Sequence, residues 1–336
     1  MLSGGDGSSD QPKLFGRAAA SGHITLLFTV QAESQNPLNQ GSRGVGLCID
    51  PELPACEVIA NATLGRGTVT ASGDFADGRL HSTVIEEMTH LIPQTADYDW
   101  SFEQICRLPI QQGFGLSAAG ALSAAMAAQR ALKLDEVESK IRSFHIAHLV
   151  ERRLSGGLGD VSALWVGGVD LRREPGCPAF GAGSSLGGAG VVEGWHDEIR
   201  MILAWRTEAA QHTSSYIDDP DWKRMITESA QNLLPTLMDG DWDLNRWEEL
   251  LIAATKFADS SGLSSDANRS ELLERAERSS SGHHVSSHLC MLGESVVILP
   301  PLNTPLSDEN IAEISSRLKE EGLHCTVATL SSDTLR

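Results

Sequence analysis

The sequence predicts an α+β protein built from two domains. Short segments rich in Val, Ile and Thr are mixed with alanine-rich and amphipathic helical segments. Their order lacks the regular strand–helix–strand repeat of a doubly wound parallel sheet. The chain has 336 residues, and single domains commonly contain about 100–200, so two domains are expected. We place the boundary between residues 195 and 196 and a flexible polar tail over residues 1–20.

The first domain, residues 21–195, is predicted to combine strands with two helices. Ser117 to Leu132 contains almost only helix-forming residues and no proline. Asp135 is a suitable N-cap for a second helix that ends near Leu154, where Ser-Gly-Gly follows. The apolar segments rich in β-branched residues are predicted to be strands, at 24–30, at 45–49, within 57–83 and at 161–171. A glycine-rich stretch over 176–190 is predicted to be a linker or flexible loop.

The second domain, residues 196–336, is predicted to start and end with strands. Strands are expected at 201–205, 296–299 and 325–330, and helices at 222–238, 247–257 and 308–321. A polar, serine-rich passage separates the second of these helices from the strand at 296–299.

Charge and composition exclude several classes of partner. The net charge is −19, and nucleic-acid binders need a basic patch that displaces phosphate counterions, so neither nucleic acid nor an acidic membrane surface is expected to bind. The longest apolar runs are far shorter than the roughly 20 residues that span a bilayer. The first residues lack the pattern of a secretory signal, so we expect a cytoplasmic protein. Its six cysteines contain no CxxC pair and are expected to be free thiols.

A glycine-rich loop is the most informative motif. It reads Leu-Pro-Ile-Gln-Gln-Gly-Phe-Gly-Leu-Ser-Ala-Ala over residues 108–119 and leads directly into the alanine-rich helix. A helix start exposes unpaired N–H groups, and Gly113 and Gly115 let the backbone approach an anion closely, which suits a phosphate. Ser117 can cap the helix and also offer its hydroxyl to a metal ion that bridges phosphates.

Two familiar phosphate-binding motifs do not fit this loop. A Walker loop requires lysine after its last glycine, and none of the lysines in the chain follows a glycine. A dinucleotide fingerprint requires a third glycine and a βαβ unit, which are absent from the pattern. An ordinary glycine-rich turn before a packed helix stays open as the alternative.

One face of the second helix carries a carboxylate. Val137, Ile141, Phe144, His148 and Glu151 recur at spacings of four and three, so they share a face that begins apolar and ends polar. A carboxylate that points inward needs a partner or a metal ion. Glu151 is therefore either paired with the neighbouring Arg152 or Arg153, or it is a ligand of a metal.

These motifs together resemble the GHMP kinases, the superfamily of galactokinase, homoserine kinase and mevalonate kinase. The glycine loop is similar to their phosphate-binding motif, and Gly157-Leu-Gly-Asp-Val-Ser162 lies where they carry an aspartate-bearing loop. Ser286 to Gly293 resembles their late glycine motif. The early segments Ser21 to Phe28 and Asn36 to Gly46 resemble the first motif of the archaeal pantoate kinases. The resemblance covers nearly the whole chain after residue 20.

The resemblance implies a fold and a set of roles. It implies an N-terminal domain like the second domain of ribosomal protein S5, a ferredoxin-like C-terminal domain, and ATP between them. Mg²⁺ would be held by Ser117 and Glu151, and Asp160 would accept the proton of the substrate hydroxyl, with Ser117 and Glu151 as the other catalytic residues. An Asx turn at Asp160 is the structural alternative. The residues implied to bind ATP are Pro109, Gly113, Phe114, Gly115, Leu116, Ser117, Ala118 and Ala119.

The resemblance also implies a small hydroxy acid, pantoate, as the substrate. Arginine provides a planar fork for a carboxylate, and Arg172 stands at the position of the family's substrate arginine. The other implied substrate-binding residues are Ser42, Arg43, His148 and Thr213. Another small-molecule substrate of the same superfamily, such as homoserine, shikimate or a mevalonate-type acid, stays open, as does a nucleotide-binding protein without catalysis. A homodimer is compatible with the sequence.

Overall fold

The computed structural model describes residues 13–181, 185–206 and 219–336. Within these ranges it confirms the α+β class, with twelve strands in two sheets and helices packed against them. Two hydrophobic cores are present: one lies between the smaller sheet and its helices, and the other fills the larger sheet and the helices of the second half.

The smaller sheet has the strand order β1-β4-β6-β5. Its strands are β1 Leu14–Ala20, β4 Cys56–Leu64, β5 Val69–Gly73 and β6 Tyr98–Cys106. All neighbours are antiparallel except β5 and β6, which are parallel. Three helices cover this sheet: α1 Leu80–Leu91, α2 Leu116–Ala131 and α3 Glu136–Arg153.

Helix α2 is the central helix of the first half. It packs directly on β1 and β4, while α1 and α3 pack against α2. The run of small residues allows this close approach, because eight alanines of the helix are buried against its neighbours. At β1 the approach is closest at Gly16, where an added Cβ would lie 2.0 Å from the Ala127 carbonyl oxygen.

The larger sheet contains strands from both halves of the chain, in the order β10-β11-β9-β12-β3-β7-β8, with β2 paired to β3. From the first half come β2 Gly22–Phe28, β3 Gly44–Asp50, β7 Val169–Glu174 and β8 Val191–Trp195. The short helix α4 Asp160–Val166 precedes β7. All pairings in this sheet are antiparallel.

The second half adds four strands and four helices within the described ranges. The strands are β9 Arg200–Trp205, β10 Ser286–Leu289, β11 Ser295–Leu299 and β12 His324–Leu330, and the helices are α5 Pro220–Met238, α6 Trp247–Ser260, α7 Ala267–Ser280 and α8 Asp308–Glu320. Helices lie between β9 and β10 and between β11 and β12, and the strand order is β10-β11-β9-β12. This is the arrangement of a ferredoxin-like domain.

One edge of β3 joins the two halves. β7 pairs with residues 44–47 of this edge, and β12 continues along it at Ile49 and Asp50. Gly168 and Ser331 meet where β7 and β12 adjoin, with the Gly168 N–H donating to the Ser331 carbonyl over 2.8 Å. The predicted boundary at residues 195 and 196 falls between β8 and β9 and stays a prediction, because the sheet itself is continuous across both halves.

The tail predicted over residues 1–20 is wrong for residues 14–20, which form β1. Gly16, Ala18 and Ala20 are buried, and Gly16 lies against the α2 backbone at Ala127 and Ala131. Alanine and glycine are poor strand formers, so the segment carries no strand signal of its own, and tertiary packing decides its conformation. Residues 1–12 lie outside the described residues.

Two further segments differ from the predictions. The strand predicted over residues 161–171 is helix α4 followed by β7, because Gly167 and Gly168, with φ of 72° and 63°, separate the two elements. The serine-rich passage contains helix α7, which the Asp266 side chain caps by accepting from the Arg269 N–H over 3.1 Å. Helix α1 also lacks a counterpart among the predicted elements.

The glycine-rich stretch at 176–190 is anchored where it is described. Cys177 and Phe180 are fully buried, and the Gly187 N–H donates to His145 Nδ1 over 3.0 Å. Residues 182–184 lie outside the described residues, so the flexible character of this stretch stays a prediction. In the described parts of the chain, no helix has both the length and the apolar content needed to cross a bilayer.

We expect Gly16→Ala to lower the free energy of unfolding by about 1–3 kcal/mol, because the new methyl group would overlap the α2 backbone. The measurement is urea unfolding followed by circular dichroism. Gly78→Ala is the matched control, since an added Cβ there meets no atom within 4 Å. Equal stability of the two variants would show that β1 does not pack on α2 as described.

Candidate active site

A cleft lies between loops from both halves of the chain. It contains about 1230 Å³ of empty space, its open mouth included. The glycine loop and the loop before α4 form much of its wall. The lining residues are Thr25, Phe28, Ser42, Phe75, Ala76, Asp77, Leu80, Gln104, Ile110, Gln111, residues 113–117, Glu151, residues 154–160, Met291 and Leu292.

Unusual backbone conformations concentrate at this cleft. Within the described ranges, four residues other than glycine have positive φ, and three of them, Gln111, Ser155 and Leu292, line the cleft. Such conformations cost free energy and persist only where the surrounding contacts enforce them, which is common at functional sites. The three loops that carry them therefore have shapes that the fold holds in place.

The glycine loop is held tightly against β2. Gly113 and Gly115 have φ of 82° and 64°, and a Cβ at Gly115 would lie 3.0 Å from the His23 backbone. The His23 N–H donates to the Phe114 carbonyl over 3.0 Å. Gly115 is the N-cap of α2 and no side chain caps the helix, so the expected capping by Ser117 is wrong. The first N–H groups of α2 are thereby left for a ligand in the cleft.

A turn from the second half supports the same loop from the other side. The Glu294 N–H donates to Gln112 Oε1 over 3.2 Å, and Ser295 Oγ donates to the Gln112 carbonyl. At Gly293 a Cβ would lie 2.2 Å from the Gln112 backbone, so only glycine allows this contact. The late glycine motif thus touches the glycine loop directly.

Ser117 and Glu151 meet at the cleft. Ser117 Oγ donates to Glu151 Oε1 over 2.5 Å, and the Gly157 N–H donates to Glu151 Oε2 over 2.6 Å. The Glu151 side chain is buried, and burial raises its pKa from 4.5 to about 7, an effect that the Ser117 hydrogen bond partly offsets.

Neither neighbouring arginine forms an ion pair with Glu151. Arg153 pairs with Glu86 and Glu87, and Arg152 donates to the carbonyl oxygens of the loop at 156–157 over 2.7 and 2.8 Å. The alternative in which Arg152 or Arg153 forms a direct ion pair with Glu151 is therefore wrong, although the charge of Arg152 lowers the pKa of Glu151 from a longer distance. Arg152 instead fixes the backbone of the loop that leads to Asp160.

His23 links the cleft to a buried cluster of charges. Its Nδ1 lies 2.6 Å from Asp160 Oδ1 and its Nε2 lies 2.8 Å from Asp170 Oδ1. Two carboxylate oxygens at these distances stabilise the doubly protonated ring, in which both ring nitrogens donate. Burial lowers the pKa of His23, but the two carboxylates outweigh it and raise the pKa. Burial likewise raises the pKa of Asp160, and the His23 hydrogen bond outweighs it and lowers the pKa.

Arg172 completes this cluster below the cleft. Its Nη1 donates to Asp170 Oδ2 over 2.5 Å, and only 1% of the residue is exposed. Among the described residues, its Nε and Nη2 have no hydrogen-bond partner. A Cβ at Gly159 would lie 2.6 Å from Arg172 Nε and 2.4 Å from Ser42 Oγ. Arg172 and Ser42 therefore lie together behind the glycine that precedes Asp160.

Known proteins resemble the chain over most of its length. A family model described as the GHMP kinases N terminal domain matches residues 83–168. The pantoate kinase of Thermococcus kodakarensis is 24% identical over 318 residues, 94% of this chain and 96% of the relative. The pantoate kinase of Methanospirillum hungatei JF-1 is 31% identical over 260 residues, 76% of this chain and 78% of the relative. The chain belongs to the GHMP kinase family.

Solved structures have the same fold. A phosphotransferase related to the CoA biosynthesis pathway superposes with a TM-score of 0.73 at 22% identity, covering 96% of this chain and 98% of its own. A homoserine kinase from Cytophaga hutchinsonii gives 0.63 at 14% identity, covering 96% and 97%. The predicted two-domain α+β description is consistent with these neighbours.

Several residues predicted for this GHMP kinase site do not line the cleft. Pro109 lines a separate surface groove, and Ala118 and Ala119 are buried in the core behind the helix start. Phe114 lines the cleft with its backbone, while its ring packs edge-on against Trp205. The phosphate-binding prediction therefore narrows to the backbone at 113–117 and the Ser117 side chain.

Of the residues predicted to bind the substrate, Ser42 lines the cleft, whereas Arg43 and His148 do not. Arg43 points away from the cleft, and its Nε donates to the Arg173 carbonyl over 2.9 Å. This follows from its position next to Ser42, because neighbouring residues of an extended segment face opposite sides. His148 is buried and its Nε2 lies 3.0 Å from the Pro37 carbonyl oxygen. Burial lowers the pKa of His148 to about 4, so the ring is neutral. Thr213 lies outside the described residues.

The face predicted for α3 is only partly correct. Phe144, His148 and Glu151 are buried, but Val137 is 70% exposed. The first turn of α3, which contains Val137, extends past the core. The buried face of this helix therefore begins after Val137, later than the spacing of the apolar residues predicted.

Sequence reasoning missed two residues of the buried cluster, His23 and Asp170. His23 lies inside the early motif, directly after a glycine, and Asp170 lies at an inward position of β7. A buried acid in a strand is a signal by itself, because it requires a partner. Their partnership depends on β2 and β7 both pairing with β3, which the sequence alone does not specify.

We expect His23→Leu to lower the free energy of unfolding by about 3–5 kcal/mol, because the buried Asp170 and the partly buried Asp160 would lose their shared cation. The measurement is urea unfolding at neutral pH. His90→Leu at the exposed end of α1 is the control and should change stability by no more than about 0.5 kcal/mol. A His23→Leu protein as stable as this control would contradict the buried charge cluster.

Glu151 gives a pH-dependent prediction. Its folded pKa of about 7 exceeds the usual 4.5, so the folded state binds the proton more tightly and loses stability as the pH rises through this range. Relative to Glu151→Gln, the wild type should lose on the order of 3 kcal/mol between pH 4.5 and 7. The measurement is urea unfolding across this range with a chelator present.

The exposed Glu228 of α5 provides the control for this experiment. Glu228→Gln should follow the wild-type pH profile, since that carboxylate remains in water. Parallel profiles for the wild type and Glu151→Gln would instead show that Glu151 is not buried as described.

Proposed function

We propose that this protein is an ATP-dependent kinase that phosphorylates the primary hydroxyl of pantoate to give 4-phosphopantoate, a step of coenzyme A biosynthesis in the cytoplasm. The observation that carries the proposal is the meeting of the α2 start, the Ser117–Glu151 pair and Asp160 at one cleft. The pantoate kinases that match the chain support the choice of substrate.

The cleft has the chemistry that a nucleoside triphosphate needs. The uncapped start of α2 offers backbone N–H groups and a positive dipole end for phosphate oxygens. Phe75, Leu80, Ile110 and Leu292 add apolar surface to the same cleft. A base can pack on such surface while polar groups nearby fix its orientation.

The Ser117–Glu151 pair fits a magnesium ion. Within the described ranges no group of three or more His, Cys, Asp and Glu side chains converges as a metal site. Mg²⁺ in kinases, however, takes one or two protein oxygens and completes its shell with phosphates and water. Ser117 and Glu151 would hold the ion, which supplies positive charge to the phosphates. A buried carboxylate without an arginine partner is suited to this role, since a cation stabilises its ionised form.

The position of Asp160 supports a role on the substrate hydroxyl. Its side chain is 19% exposed at the cleft, and its other face is held by His23. The imidazolium keeps Asp160 ionised and fixes its direction, so the free carboxylate oxygen can accept a hydroxyl hydrogen. Phosphoryl transfer depends mainly on positioning and electrostatic stabilisation, so a weakly basic but well-oriented carboxylate is sufficient.

The substrate carboxylate has a candidate partner in Arg172. Two of its guanidinium nitrogens, Nε and Nη2, have no hydrogen-bond partner among the described residues, and Nε lies behind Gly159, next to Ser42 Oγ. A carboxylate placed there would satisfy buried donors that otherwise have no acceptor. This arrangement favours a hydroxy acid as the substrate. Arg172 could bind the carboxylate of the acid, and Asp160, which follows Gly159 directly, could orient its hydroxyl group.

The test is an ADP-release assay with pantoate, homoserine, shikimate and mevalonate as acceptors. We expect turnover with pantoate, and we expect Asp160→Asn to reduce it by about 10²–10⁴-fold while ATP still binds, because the hydroxyl loses its acceptor. Glu228→Gln is the control and should keep full turnover. ADP release with another acid but not with pantoate would overturn the substrate, and an unaffected Asp160→Asn would overturn the role of Asp160.

A further inference from the structure

Two cysteines face each other across neighbouring strands of the smaller sheet. Cys56 begins β4, Cys106 ends β6, and the antiparallel register places them directly opposite. Their sulfur atoms are 3.9 Å apart. All six cysteines are free thiols, and the other four lack such a partner in the described contacts.

The local hydrogen bonds show which kind of strand position the pair occupies. The next pair outward, Ala55 and Arg107, is hydrogen-bonded through the Arg107 N–H, whereas the Cys106 N–H donates to Asp74 Oδ2 over 3.0 Å. Cys56 and Cys106 therefore form a non-hydrogen-bonded pair. Cα atoms in such pairs are about 4.5 Å apart, within the roughly 4.4–6.8 Å that a disulfide spans. Side-chain rotation alone can bring the sulfurs together.

The two thiols differ in access and reactivity. Cys106 is partly exposed and lines a surface groove beside Arg107 and Pro109, whereas Cys56 is fully buried. The hydrogen bond from Cys56 lowers the pKa of Cys106, and the Gln104 amide acts in the same direction. Cys106 is thus the thiol that a reagent from solution meets first. The hydrogen bond with Cys106 and burial raise the pKa of Cys56, so Cys56 is the thiol that reacts second.

We propose that Cys56 and Cys106 are a redox modification site that closes reversibly into a cross-strand disulfide. The Cys106 thiolate attacks a low-molecular-weight disulfide, forms a mixed disulfide and releases one thiolate. The Cys56 thiolate then attacks the Cys106 sulfur, forms the protein disulfide and releases the second thiolate. The two cysteines together lose two electrons and two protons. The low-molecular-weight disulfide takes up these electrons and protons and becomes two thiols.

Closure has a consequence for the cleft. The Cys106 thiol donates to the Asp74 carbonyl over 3.4 Å, and Gln104 Nε2 donates to the same oxygen over 2.6 Å. The following residues, 75–77, line the cleft. The disulfide removes the thiol donor, so this segment is held by one hydrogen bond fewer. If the proposed function holds, KM for ATP should rise about two- to threefold on oxidation.

The experiment incubates the native, full-length protein with oxidised glutathione, counts free thiols after denaturation and maps the linked peptides. We expect loss of two of the six thiols, a peptide pair that links residues 56 and 106, and reversal by dithiothreitol. Cys106→Ser and Cys56→Ala should each abolish the linkage. Cys325→Ser, which removes another partly buried thiol, is the matched control and should still form it.

The thiol count and the peptide map test the disulfide without any measurement of kinase activity. Six remaining thiols, a linkage through any other cysteine, or a glutathione adduct on Cys106 that never resolves would overturn the modification site. Amide hydrogen exchange at residues 74–77 should quicken on oxidation whether or not ATP is the ligand. An intact disulfide with unchanged exchange would overturn its effect on the cleft.

Discussion

The placement of one histidine ring between a buried carboxylate and a carboxylate that reaches the cleft is the interaction on which this site depends. His23 on β2 binds Asp160 at the start of α4 and Asp170 on β7, so one ring joins β2 to two consecutive elements that lie far from it in sequence. The same strand supports the glycine loop through the His23 N–H and the Phe114 carbonyl. A shift of β2 would therefore disturb the glycine loop and Asp160 together. Electrostatics and backbone geometry are coupled at this point of the fold.

The sequence predicts those features that depend on neighbouring residues. Helix α3 begins at the predicted cap, Asp135, because capping and helix propensity are local properties. The glycine loop, Ser117, Glu151 and Asp160 come together as expected, since each lies in or beside a recognisable motif. The wrong predictions have the opposite cause. β1 consists of residues with a weak strand preference, so its conformation follows from what it packs against. Helix α7 is an exception, because its Ala, Leu, Glu and Arg residues favour a helix and this local signal was overlooked within the serine-rich passage.

Features that depend on strand register were beyond sequence reasoning. His23 and Asp170 are separated by 147 positions, and they meet only because β2 and β7 pair with β3. Ser42 and Arg43 are adjacent, so the alternation of an extended chain sends one towards the cleft and the other away. The sequence identifies the types of residue that such chemistry requires. The three-dimensional pairing decides which of them can act.

The shared edge of β3 has a consequence for how the chain acquires its structure. β12 completes that edge at Ile49 and Asp50 although nearly the whole sequence lies between these partners. Loop closure over such a distance is slow, and until it occurs the first half presents part of a strand with unsatisfied backbone groups. A fragment that ends before β9 would retain this open edge permanently. Such a fragment should recruit further strands from other chains and aggregate, whereas the whole chain covers the edge with its own last strand.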